Sequence, residues 1–237
     1  MNNGRIVVAG AGGFIGGWLV NDLIKSGYSD ILAVDIKPTN EWYQRFDSAE
    51  NLSLDLRNSE SANDVTRNAK IIYNLAADMG GMGFIENNKA LCMLSVLINT
   101  NLLRSSVENE VEKYFFASSA CVYNQALQKS PKIFGLKEQD AYPADPEDGY
   151  GWEKLFSERM CRHFQEDFGL STSVARFHNV YGPFGTFDGG REKAPAAVCR
   201  KVAEAEDGTE IEIYGDGLQQ RSFLWIEECL DGIRKVM

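Results

Sequence analysis

Residues 5–27, RIVVAGAGGFIGGWLVNDLIKSG, constrain the architecture more than any other stretch. RIVVAG at 5–10 reads as a buried strand, and FIGGWLVNDLIKSG at 14–27 as a helix closed by Gly27. Between them stand glycines 10, 13 and 16. A strand that turns this tightly into a helix presents backbone N–H groups and the positive end of the helix dipole with no Cβ in the way, which is what a pyrophosphate requires. A glycine triplet alone is a weak signal. Here Asp35 ends the second strand, ILAVDI at 31–36. A carboxylate at that point accepts hydrogen bonds from ribose hydroxyls and repels a 2′-phosphate, so the expected cofactor is NAD rather than NADP. Asp55, closing LSLDL at 52–56, is either a contact for the adenine end or only a strand-terminating acid.

The βα rhythm continues through strands KIIYNLA (70–76) and KYFFASS (113–119), with a long helical pattern at about 87–108 between them. A further helix is expected over about 149–168, and STSVARFHNVYG reads as a strand running into a loop. Short apolar strands alternating with helices imply an α/β fold, a doubly wound parallel sheet covered on both faces. From Tyr181 the chain turns loop-rich. The expected division is therefore a dinucleotide-binding domain at 1–180 and a smaller substrate lobe at 181–237.

Charge narrows the function classes. With 24 Lys and Arg against 34 Asp and Glu the formal charge is −10, which argues against nucleic-acid or anionic-membrane binding. No apolar run approaches the roughly 20 residues of a membrane span, and the N-terminus lacks the pattern of a signal peptide, so a cytoplasmic protein is expected. Five scattered cysteines and two separated histidines suggest neither a disulfide framework nor a metal site.

YGWEK places Tyr150 and Lys154 on one face of the helix expected over about 149–168. Tyrosine ionises near pH 10, and a neighbouring ammonium favours the phenolate a base needs. FFASSACVYN, at 115–124, poses a separate question. Cys121 is either a small buried hydrophobe or a group placed to move a proton, and spacing alone favours the first.

The pattern GxxGxxG, then SSACVY, then YxxxK resembles the extended short-chain dehydrogenase/reductases that act on nucleotide sugars, NAD-dependent epimerases and dehydratases of Rossmann-type fold. Ser119 falls where that family joins a serine to Tyr and Lys. NLAADMGGMGFI (74–85), RFHNVYGPFGT (176–186), GGREKAPAA (189–197) and GDGLQQRSF (215–223) narrow the resemblance to the GDP-mannose 3,5-epimerase family, across essentially the whole chain. The related dehydratases carry an Asp-Glu pair where this chain has Ala120-Cys121, and their glutamate removes the proton at C5 of a 4-keto sugar. The resemblance thus implies that Cys121 reaches C5, with Lys193 as its partner on the opposite ring face, thiolate beside ammonium.

The implied reaction is epimerisation of GDP-D-mannose at C3 and C5 to GDP-L-galactose, with GDP-L-gulose as the C5 epimer, through a transient 4-keto sugar and tightly held NAD. Tyr150, Lys154, Ser119, Cys121 and Lys193 would be catalytic. Tyr150 and Lys154 would also touch the cofactor held by Gly10, Gly13, Gly16, Asp35 and Asp55. Gly80 would let backbone approach the sugar, and Asn179 and Glu192 would hold the hexose. Lys201, Gln219 and Arg221 would address the diphosphate side, Lys201 being equally a solvated helix lysine. Ala120, Ala194 and Ser222 complete the substrate surface. His178, Trp18, Trp152, Met160 and the other four cysteines read as packing residues. Members of the family pair as homodimers through two long helices each. They continue for roughly a hundred residues past the position of Met237, so the substrate lobe is expected to be incomplete and the chain truncated. Two alternatives remain: another NAD-retaining nucleotide-sugar 4-epimerase or dehydratase, and a catalytically silent NAD-binding protein.

Overall fold

The computed structural model describes residues 4–128, 135–213, 217 and 220–237. Strand β1 (Arg5–Ala9) leads into helix α1 (Phe14–Lys25), followed by β2 (Ile31–Asp35), β3 (Glu50–Ser53), α2 (Ser59–Thr66) and β4 (Ala69–Asn74). Helices α3 (Met82–Asn87), α4 (Lys89–Met93) and α5 (Ser95–Glu108) precede β5 (Lys113–Ser119). Then come α6 (Tyr150–Phe168), β6 (Ser171–Phe177), β7 (Asn179–Tyr181), α7 (Ala194–Glu204), β8 (Phe223–Trp225) and α8 (Ile226–Val236).

The main sheet is parallel throughout and runs β3-β2-β1-β4-β5-β6. The order reverses between β1 and β4, and such a switch point opens a crevice beyond the carboxyl ends of the strands. Alternation along β1 feeds both faces: Ile6 and Val8 pack with α1 and α8, while Val7 and Ala9 pack with α2, α5 and α6. On β5, Tyr114, Phe115 and Phe116 are fully buried, and each such aromatic contributes about 1.5–3 kcal/mol by leaving water.

The helical stretch expected at about 87–108 is interrupted. Asn88 leaves helical geometry with φ −131°, and Asn87 and Asn88 turn their side-chain amides onto the carbonyls of Gly83 and Phe84. Such local bonds compete with the helical ladder. Lys89–Glu108 is long and apolar enough by length and composition to cross a membrane. It instead lies on the sheet beside α6, with Ser95, Asn99, Ser105 and Ser106 buried.

The division at residue 180 does not separate two cores. Ile226, Cys229, Leu230 and Ile233 of α8 pack into the same cluster as Leu19, Val20 and Leu23 of α1. β7 and β8 form a small parallel sheet of their own, and Val180, Leu224 and Trp225 join that same cluster.

Candidate active site

A cleft of about 1160 Å³ opens at the switch point. That exceeds the usual space for one small ligand and suits a dinucleotide with a second molecule beside it. Its floor is the turn from β1 to α1. Gly10 has φ +86°, and its N–H donates to Val34 O at 2.8 Å. A Cβ on Gly16 would stand 2.1 Å from Gly10 O, so α1 approaches the turn as closely as bare backbone allows. Gly13 caps α1 without any side chain bonded to the helix end, and no acid occupies the first turn. The uncapped N–H groups therefore face the cleft ready for an anion.

Asp35 lines the same wall and accepts from Lys37 N at 3.0 Å. Asp55 does too, clasped by Arg57 at 2.7–3.1 Å. The hydrogen bonds from that guanidinium hold the Asp55 carboxyl below the usual range despite partial burial. Arg57 also lines the cleft, a residue the sequence reading passed over.

At the other end stand Ser119, Tyr150 and Lys154. β5 delivers Ser119 at its last residue, and α6 carries Tyr150 and Lys154 one turn apart, both buried. Burial is the main cause that pushes the Tyr150 phenol well above its ordinary value; the negative forms of Cys121 and Glu153 add to it, and the Ser119 hydroxyl draws it back. Lys154 Nζ sits 4.6 Å from the Phe116 ring centre and 5.4 Å from that of Tyr150. Glu153 lies 3.6 Å from Lys154 Nζ and receives the Ser157 hydroxyl at 2.9 Å.

Cys121 follows β5 on a single 3-10 turn, where its N–H donates to Ser119 Oγ at 3.2 Å. It is half-buried and packs with Ile85, Cys92 and Tyr150, of which Tyr150 lines the cleft. Glu147 anchors this turn to α6: its N–H donates to Cys121 O at 3.0 Å, while its carboxylate receives the N–H groups of Gly149 and Gly151. Lys193 lines the cleft and caps α7. Burial raises the Cys121 thiol and lowers the Lys193 amine, and the attraction between the two works against both shifts. Burial thus works against the expected pairing of thiolate beside ammonium: loss of hydration outweighs the pair's attraction in both shifts.

The remaining expected residues divide. Asn179 donates to Ser222 O at 3.2 Å, so β7 and β8 bring these two together. Glu192 is partly buried, with one carboxylate oxygen 3.8 Å from Arg200 and the other unpartnered. Ala120 packs with Val122 and Leu155, and Ala194 is exposed at the first turn of α7. Lys201 points away, donating to Glu212 O at 2.7 Å, and Arg221 is exposed with its guanidinium on Gln220 O. Gln219 lies outside the described residues. Gly80 does not meet the cleft: a Cβ there would strike Phe84 and the backbone of Arg191. His178 is exposed on the cleft wall rather than packed, as is Cys199, while Cys92, Cys161 and Cys229 are buried. Trp18 is tied to Pro183 O at 2.9 Å, and Trp152 is exposed.

A switch-point cleft with a glycine cradle and a Ser-Tyr-Lys set defines a nicotinamide-dependent enzyme class. The chain belongs to the NAD dependent epimerase/dehydratase family, which it matches over residues 6–237. It is similar to GDP-mannose 3,5-epimerase 1 of Oryza sativa subsp. indica, 45% identical over 233 residues that cover 98% of this chain and 61% of that protein. The GDP-mannose 3,5-epimerase of Arabidopsis thaliana is 43% identical over 235 residues, covering 99% and 62%. The chain thus spans about three fifths of the length of the curated relatives it matches. In fold it resembles the UDP-glucose 4-epimerase of Thermotoga maritima solved with UDP-glucose, with a TM-score of 0.82 at 24% identity over 96% of this chain and 71% of that one. The family's cofactor, NAD, fits the cradle that a Cβ at Gly10 or Gly16 would fill.

Proposed function

We propose that this chain epimerises GDP-D-mannose at C3 and C5, giving GDP-L-galactose and, from inversion at C5 alone, GDP-L-gulose. The observation that supports this reading is that Lys193 lines the same cleft as Ser119, Tyr150 and Lys154, with Cys121 packed against Tyr150 and bonded through its N–H to Ser119 Oγ. Gly10, Gly13 and Gly16 would receive the NAD pyrophosphate, Asp35 a ribose, Asp55 the adenine end, and Lys154 the nicotinamide ribose. NAD supplies a hydride acceptor at C4 that later returns the hydride, so no net oxidation results.

Tyr150 takes the proton of the sugar's 4-hydroxyl, and Ser119 holds that oxygen. Lys154, buried beside it, stabilises the phenolate that accepts this proton. With C4 oxidised, the hydrogens at C3 and C5 become acidic because each carbanion delocalises onto the C4 oxygen. One of Cys121 and Lys193 removes such a proton, and the other returns one from the opposite face. Glu192 and Asn179 would hold the hexose, with Ala120, Ala194 and Ser222 around it, and Gln219 and Arg221 on the diphosphate side. The division into a cofactor domain at 1–180 and a substrate lobe at 181–237 is part of the same reading.

The protein would act in the cytoplasm as a homodimer. Met93 and Leu97 of α4 and α5, with Trp152 and Phe156 of α6, form an exposed apolar face suited to a four-helix contact.

Incubation with GDP-mannose in deuterated water tests the reaction, read by mass and proton NMR. Deuterium enters C3 and C5 while the C4 hydrogen is retained. Protein that carries NAD and exchanges neither carbon would overturn the epimerase assignment.

A further inference from the structure

Lys193 sits on a strap, not on the sheet. The segment 189–193 crosses the loop that follows β4 and ends where α7 begins. Gly189 and Gly190, with φ of +83° and +81°, supply no side chain to hold it. Cys121, by contrast, hangs from β5 and is tied to α6 through Glu147. Two groups that must meet opposite faces of one ring are thus carried by parts of very different rigidity. A shift of about 1 Å at a reacting group is enough to cost a hundredfold in rate.

What secures the strap is a set of contacts made by Arg191. Its guanidinium donates to Asp78 Oδ1 at 2.7 Å and Met79 O at 3.2 Å, and lies 3.9 Å from the Phe84 ring centre. The backbones also meet: Gly81 N donates to Arg191 O at 3.1 Å, and a Cβ on Gly81 would stand 2.5 Å from Glu192 O. Side chains on the glycines at 80 and 81 would therefore drive the strap off the loop. The loop is firm, because Asp78 N donates to the Oγ of buried Ser95 on α5 at 2.9 Å. Arg200 supports the far side of the strap, 3.8 Å from Glu192 and bonded to Phe187 O at 3.0 Å.

We propose that Asp78 and Arg191 form a latch that positions Lys193 against the sugar ring. They are positioning residues: neither has a part in proton transfer, and both act through the strap. The role in catalysis rests on the epimerase reading above, while the mechanical claim stands by itself. Replacing Arg191 leaves the strap held by backbone and Arg200 alone. Lysine there keeps the charge and loses the planar fork.

Two measurements on the full chain with NAD bound separate these claims. The first is acetylation of Lys193 by acetic anhydride at fixed pH, read by peptide mass spectrometry against exposed Lys25 in the same sample. Arg191→Gln and Asp78→Asn should each raise Lys193 labelling about threefold to tenfold, the size expected of a half-exposed ion pair with a cation–π contact, and Arg191→Lys should fall between. The second is deuterium entry into GDP-mannose at C3 and C5. It should fall by a similar factor in kcat with bound NAD unchanged, a split that general loss of structure would not produce. Asp78→Asn is nearly isosteric and serves where Arg191→Gln disturbs folding. Equal labelling of Lys193 in native and variant protein overturns the latch, whatever the exchange assay gives. Increased labelling with undiminished exchange overturns its positioning role. Increased labelling in a protein whose native form never exchanges upholds the latch and removes the epimerase reading instead.

Discussion

Burial raises the Cys121 thiol and lowers the Lys193 amine; the Ser119 hydroxyl draws the thiol down, Glu147 raises it further, and the positive charges of Lys193 and Lys154 lower it. The sign of each perturbation can be read from alkylation of Cys121 by iodoacetamide against pH, followed at that peptide because Cys199 is also exposed. The midpoint in native protein should lie above that of an ordinary thiol, about 8.5. Lys193→Met removes a charge that favours the thiolate, so the midpoint should rise. Glu147→Gln removes one that opposes it, so the midpoint should fall. A native midpoint below the ordinary value, or a fall with Lys193→Met, would contradict burial as the controlling influence.

Between β1 and α1 the backbone leaves no room for a side chain at residue 16, where a Cβ would stand 2.1 Å from Gly10 O and 2.8 Å from the Cα of Ala11. Gly16→Ala must push α1 away from the turn and misdirect its N–H groups. Retained NAD, released by denaturation and measured by absorbance, should drop at least about tenfold, while the sheet's hydrophobic faces remain. Retention equal to native would mean that the cradle is not where the pyrophosphate sits. This element was legible in the sequence because strand, glycines and helix are contiguous, and so was α6, whose Tyr150 and Lys154 lie one turn apart. The strap was half legible. GGREKAP marked Lys193 and Glu192, but the bond from Arg191 to Asp78 joins residues 113 apart, and no local pattern encodes it. Gly80 was expected to let backbone approach the sugar, and what stands nearest to it is the Phe84 side chain and the backbone of Arg191. Cys199 and His178 were taken for packing because residue type alone does not tell which side of a short strand or helix faces a cleft. Burial works against the expected pairing of thiolate with ammonium, and spacing carries no information on hydration.

Across the molecule, α4, α5 and α6 carry exposed apolar side chains. Met93, Leu97, Trp152 and Phe156 are each more than two fifths exposed, and they lie on helices whose other sides are buried against the sheet. Two chains meeting there each bring a formal charge of −10, so their long-range interaction is repulsive. Contact must therefore be driven by apolar burial, and a stable interface of this kind removes about 800 Å² per partner from water. Salt screens the repulsion without weakening the burial at moderate concentration. Sedimentation equilibrium should accordingly show a dimer whose dissociation constant falls as salt rises from about 10 mM to 200 mM. Leu97→Glu with Phe156→Arg should give a monomer that keeps its NAD, because neither side chain lines the cleft. A native chain that stays monomeric at micromolar concentration would refute the interface. Dimerisation that weakens with salt would point instead to an association governed by charged groups such as Arg162 and Glu166 along the exposed side of α6.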